Sequence, residues 1–123
     1  MSVAGRVVTG YSKPKIADYS ATGGVISYSN GMTLAGSTFA SASSKVTFTF
    51  LTPGDGQWCY GRVLCNGDQL VETGNSSDAE STYHSFTVTD ATQIANLKQY
   101  GIELNDYYSG GLNGFSGLWI LCE

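Results

Sequence analysis

His84 is the only histidine in the chain, and imidazole is the side chain that most readily moves protons near neutral pH. It alternates with Phe86 and Val88 toward one face of a predicted strand, which is the setting of a structural histidine rather than of a general base. Ser116 lies in Gly114-Phe115-Ser116-Gly117, which lacks the Gly-x-Ser-x-Gly spacing and the strand-to-helix context that expose a hydrolase nucleophile. A hydrolase is rejected, and the chain is read as non-enzymatic. The loop carboxylates Asp78 and Glu80, Asp55 and Asp68, and Asp106 are of the type that Ca²⁺ takes. They show no regular ligand spacing, so they are read as solvated charges. Cys59, Cys65 and Cys122 have neither C-x-x-C spacing nor a second histidine to complete a zinc site. Cys59 and Cys65 fall on one predicted strand about 20 Å apart, too far to bridge each other, and Cys122 can pair with only one of them. The reading taken is three buried thiols in a reducing cytosol. No metal or cofactor is expected.

The aromatic side chains offer more. There are eight Tyr, five Phe and two Trp, more than a small domain buries completely, so some belong at surfaces or interfaces. Trp58, Tyr60, Tyr107, Tyr108 and Trp119 are candidate flat platforms for a surface glycan or for a subunit contact. Tyr107 and Tyr108 sit in a Gly-flanked loop, with Asn105, Asp106 and Asn113 close in sequence to hydrogen-bond sugar hydroxyls. The default alternative places the tryptophans in the core and the tyrosines in loop packing or an interface.

These residues must be positioned by β-structure. Charged residues are only 13% of the chain, 16 residues are glycine, and Ser and Thr runs replace the Lys, Glu and Leu of helical proteins. From Lys45 to Glu72 the chain reads as a β-meander. Val46, Phe48 and Phe50 alternate with Thr47 and Thr49, as in a strand with one buried face. Pro53-Gly54-Asp55-Gly56 reverses the chain. The return strand puts Trp58, Tyr60, Arg62 and Leu64 on one face and Cys59, Gly61, Val63 and Cys65 on the other, and Asn66-Gly67 then makes a tight hairpin. Gly36–Ser44 reads as a loop with Phe39 tucked inward, and the run from Thr73 to Thr82 as an exposed loop that tolerates insertion. Tyr83–Thr89 is a strand. Asp90 caps a short helix near 91–98, with Gln93 three residues on and Ile94 and Leu97 on its buried face. Tyr100, Ile102 and Leu104 alternate as a strand, and Phe115–Cys122 is apolar throughout, as in a strand buried on both faces. At 123 residues the chain is expected to be one all-β domain, 1–123, a β-sandwich or jelly-roll-like sheet pair with one short helix.

Before the meander, Lys15–Leu34 reads as a hairpin with glycine corners, and residues 1–10 as an edge strand or an extended arm that reaches a neighbour. Two stretches here, RVVTGYSKPKIADYS from Arg6 to Ser20 and GGVISYSNGMTLA from Gly23 to Ala35, resemble the opening of major tail proteins of certain tailed bacteriophages. The shared features are a Val-Thr-Gly-aromatic-Ser-Lys-Pro run, then Ala and Tyr-Ser, a Tyr-Ser-Asn-Gly turn and Leu-Ala. The likeness ends at Ala35, after which this chain continues Gly36-Ser37-Thr38-Phe39. It implies a structural virion component that self-associates, and it leaves tail tube, tail tip and capsid decoration on the head surface open. Arg6, Val7, Val8 and Tyr11 then become the candidate assembly arm. The order helix, strand, Gly-rich loop and final apolar strand also looks like the end of small jelly-roll carbohydrate-binding domains, in which the segments matched by Tyr100–Leu104 and Leu118–Leu121 are neighbouring strands.

The partners expected are other virion proteins, most simply copies of the chain in a homo-oligomer, in a particle assembled in the host cytoplasm. The alternative is a small carbohydrate-binding module. Nucleic acid is excluded as a partner by a formal charge of −4 and only six Lys and Arg, which leave no basic stripe to neutralise phosphates. Neither a secretory signal nor a membrane-spanning segment is read in the sequence.

Overall fold

The computed structural model describes residues 31–52, 54–56, 58–73, 77–105 and 117–123. In chain order these form β1 (Thr33–Leu34), a 3-10 helix (Gly36–Phe39), β2 (Val46–Leu51), β3 (Arg62–Cys65), β4 (Asp68–Glu72), β5 (Tyr83–Val88), α1 (Ala91–Tyr100), β6 (Ile102–Asn105) and β7 (Gly117–Cys122). The strands make two antiparallel sheets, in the orders β1-β6-β3-β4 and β5-β2-β7. The architecture is an all-β sandwich with one short α-helix among the described residues, as the alternating runs and turn residues predict.

Between the sheets lies one core. Val46, Phe48 and Phe50 of β2 meet Leu118 and Ile120 of β7 and, from the other sheet, Val63, Ile102 and Leu104. Phe48 packs against Phe39 with ring centroids 6.1 Å apart, and Phe50 meets Phe86 edge-on at 5.9 Å. The 3-10 helix brings Phe39 in fully buried, as its apolar ring in a polar run suggests. All three cysteines are buried thiols.

β2 departs from the expectation of a single buried face. Thr47 and Thr49, on its opposite side, are also buried, because hydroxyls satisfy one another across the ladder. Thr49 Oγ1 lies 2.9 Å from Ser85 Oγ, and Thr47 Oγ1 lies 3.4 Å from Thr87 Oγ1. On the same face Trp119 and Leu121 form a second, smaller cluster with Leu51 and Tyr83. A polar residue on an alternating strand can therefore be interior when its partner strand offers a hydroxyl at the same register.

The meander is half correct. β3 and β4 form a hairpin through Asn66-Gly67, whose φ values of 50° and 85° suit a tight two-residue turn. β2, however, does not fold back on β3. Both of its edges are taken, by β5 and by β7 along its whole length, and the ladder with β5 continues past the strand, Thr52 N–H donating to Thr82 O at 2.9 Å. The bend at 54–56 therefore carries the chain to the other sheet. The jelly-roll resemblance fails at the same level: β6 pairs with β1 and β3, whereas β7 pairs with β2. β7 is buried along its whole length as expected, but β2 is the middle strand of the described sheet.

α1 starts where predicted, with Asp90 Oδ2 accepting from Gln93 N–H at 3.0 Å, and Ile94 and Leu97 enter the core. It runs on to Tyr100, which is the last helical residue and not the first of a strand. Gly101 stops it: φ is +71°, its N–H donates to Leu97 O, and a Cβ there would overlap the Leu34 carbonyl oxygen. Only glycine meets both demands. The arm residues Arg6, Val7, Val8 and Tyr11 and the first part of the glycine-cornered hairpin lie outside the described residues.

Candidate functional site

Where β2 ends, three side chains converge. Thr52 Oγ1 donates to Asp78 Oδ2 at 2.9 Å, and His84 Nε2 lies 2.9 Å from that same oxygen. Thr52 Oγ1 also accepts from Thr82 N–H at 2.9 Å, and Ser81 Oγ donates to Thr52 O at 2.7 Å. Asp78 sits in the stretch read as an exposed, insertion-tolerant loop, but from Asp78 to Thr82 that stretch is fastened to the end of β2 and to β5, while residues 74–76 lie outside the described residues. The His84 hydrogen bond, against the opposing pull of partial burial, holds the Asp78 carboxyl below its usual range, with the Thr52 hydroxyl adding to it.

A hydroxyl, an imidazole and a carboxylate are the components of a nucleophilic relay, but they stand in the wrong order for one. Activation needs the imidazole between hydroxyl and carboxylate, to take the hydroxyl proton. Here the carboxylate lies between the other two, and Thr52 is 1% exposed. The trio is a clasp that ties the loop to the end of the β5-β2-β7 sheet. The structural role expected of His84 from its alternation with Phe86 and Val88 takes the form of this contact with a loop carboxylate.

A second constellation covers the outer face of the other sheet. Arg62 Nε donates to Asn105 Oδ1 at 3.2 Å, Arg62 Nη1 to Gln69 Oε1 at 3.4 Å, and Gln69 Nε2 to Glu72 Oε2 at 2.7 Å. The Tyr60 hydroxyl, then Gln69 and the charge of Arg62, hold the Glu72 carboxyl below its usual range. This polar row crosses three strands, because Arg62 is in register with Asn105 on one side and Glu72 on the other. One step along the same face, the pairs Leu64 with Glu103 and Glu103 with Thr33 form the next row. That row is the floor of an open groove of about 450 Å³, walled by Leu34, Ala35 and Tyr100 on one side and by the Asn66-Gly67 turn on the other.

The aromatics named from sequence separate. Trp58 is 52% exposed, while Tyr60 and Trp119 are buried. Tyr60 is engaged with Glu72, and the Trp119 ring packs on Tyr83 at 5.4 Å. Neither can offer a face to a dissolved ligand, so as platforms these two are corrected. Tyr107 and Tyr108, with Asp106 and Asn113, lie outside the described residues, as does Ser116. Tyr100, 49% exposed, is the aromatic that sequence reasoning missed, because alternation with Ile102 and Leu104 made it resemble a strand residue. Extending the helix two residues past its expected end near 98 gives the missing signal: at about 100° per residue Tyr100 falls roughly 90° from the Ile94 and Leu97 stripe, on the helix flank.

Among the described residues no group of three His, Cys, Asp or Glu side chains comes together to hold a metal. No described helix is long and apolar enough to cross a membrane. No family model matches the chain, and no curated protein or solved structure matches it either.

Proposed function

We propose that this chain is a non-enzymatic structural protein of a tailed-phage particle, working through contacts with copies of itself or with neighbouring virion proteins. The observation that carries this reading is the run from Arg6 to Ala35, whose order of turn, Pro and aromatic residues resembles the opening of major tail proteins. The rest of the molecule suits the role. A two-sheet core gives a rigid body, few charges oppose close packing of copies, and the one histidine is held in a clasp rather than beside a nucleophile.

Assembly through the arm has a physical basis in strand addition, which satisfies backbone N–H and C=O groups along a neighbour's sheet edge. Removing Met1–Gly10 should leave the unfolding transition in place and weaken both self-association, read by sedimentation, and incorporation into particles, read by immunogold microscopy. Unchanged incorporation of the truncated chain would exclude the arm. An intact chain that stays monomeric and is missing from purified particles would overturn the virion reading altogether. A carbohydrate-binding module is the second reading, favoured by the two large aromatic side chains, Trp58 and Tyr100, that stand half-exposed on the described surface.

A further inference from the structure

We propose that the groove between the end of α1 and the β1-β6-β3 face is a saccharide subsite, with the Tyr100 ring as platform for a neutral pyranose and Thr33, Asn66 and Glu103 as partners for its hydroxyls. The inference rests on the glycan-binding reading and is independent of the virion one. It places that chemistry at residues other than the aromatics read from the sequence.

Three features select the ligand class. The first is the ring itself. Tyr100 ends a helix whose last turn is closed at Gly101, so the backbone that carries the half-exposed ring is fixed beside the groove, and the C–H face of a pyranose is the apolar counterpart of an aromatic surface.

The second feature is the polar rim. Glu103 offers an acceptor, Asn66 both donor and acceptor, and Thr33, directly across from Glu103 in the ladder, a hydroxyl. No hydrogen bond among the described residues takes up these side chains, so a ligand need not displace an internal partner. Sugar hydroxyls, which both donate and accept, match this set.

Charge and shape are the third. Among the described residues, Glu103 is the only ionisable group besides the tyrosine phenol along the groove, and none of them that lines it is Lys or Arg. Phosphates, nucleotides and acidic peptides therefore meet repulsion with no compensating cation. A cationic side chain would gain from Glu103, but tight cation recognition uses several aromatic walls, and the described residues supply this groove with one. An apolar metabolite calls for a site that encloses most of its surface, whereas this one is open along its length and is suited to one ring of a longer glycan.

The test is a titration of the ¹⁵N-labelled full chain, read by amide shifts, with neutral cello-, malto-, chito- and galacto-oligosaccharides, and in parallel with a Lys-rich peptide and inorganic phosphate. At least one saccharide series should move the amides of 33–35, 64–67 and 100–103 saturably. Tyr100→Ala should weaken that binding by about tenfold or more, and Tyr100→Phe, which keeps the platform, by less than about threefold. Asn66→Gly provides a second variant that the turn accommodates without strain, and it should bind several-fold more weakly. Failure of every saccharide to move these amides overturns the proposal, as does full binding by Tyr100→Ala. A response to the peptide or to phosphate in place of the sugars refutes the ligand class. Saccharide shifts centred on Trp58 instead would refute this site while leaving the glycan-binding reading standing.

Discussion

Replacing Thr52 by valine removes one hydroxyl at a position that is 1% exposed and leaves the size of the side chain nearly unchanged. Two groups lose a hydrogen bond. Asp78 Oδ2 loses a hydrogen bond of 2.9 Å, and Thr82 N–H loses its acceptor at 2.9 Å. A hydrogen bond to a charged group contributes about 1.5–3 kcal/mol, and an amide left unsatisfied in the interior costs about 1–3 kcal/mol. Because both act through one loop they do not add fully, and the expected loss is about 2–4 kcal/mol. For a chain of this length that is a fall of roughly 8–16 °C in Tm. Urea unfolding followed by tryptophan fluorescence measures it.

The clasp also predicts a pH dependence whose sign follows from Asp78. Its folded-state carboxyl is held below the usual value by His84 first and then by Thr52, so in acid the unfolded chain binds the proton more readily. The stabilisation is complete above the unfolded carboxyl pKa of about 4 and is lost as pH falls through the folded value. Because Thr52→Val removes one of the groups that favour the carboxylate, the gap between the two proteins should narrow below about pH 4. A loss under about 0.5 kcal/mol at neutral pH, or a gap that stays constant into acid, would refute the clasp.

Two further substitutions probe the core and the helix end. Phe50 is fully buried and meets Phe86 edge-on, so Phe50→Ala should cost about 3–5 kcal/mol in denaturant unfolding, and a loss below about 1 kcal/mol would mean that the inner face of β2 is not core. Gly101 and Gly67 both have positive φ, but a Cβ at Gly101 overlaps the Leu34 backbone whereas one at Gly67 meets nothing within 4 Å. Gly67→Ala should therefore cost only about 1 kcal/mol of backbone strain and Gly101→Ala distinctly more; equal losses would show that the close approach of α1 to β1 does not matter.

Local signals determined the elements. Alternation in Val46–Phe50 and Tyr83–Val88, the Asn66-Gly67 turn, the Asp90 cap and the apolar run at the end of the chain each specify a strand, turn or helix start through interactions within a few residues, and the structure places those elements where these residues predict. Pairing was another matter. Whether β2 returns onto β3 or crosses to the other sheet depends on which strands compete for its two edges, and β5 and β7 come from residues more than thirty positions further on. The burial of Thr47 and Thr49 is likewise decided by Ser85 and Thr87 standing opposite, which no period-two pattern contains. The same holds for the two surface constellations. Thr52, Asp78 and His84, and Thr33, Leu64, Tyr100 and Glu103, are separated in sequence and carry no shared spacing. Only the packing of two sheets and one helix brings each set to a single place, because side-chain convergence is a property of register and crossing rather than of composition.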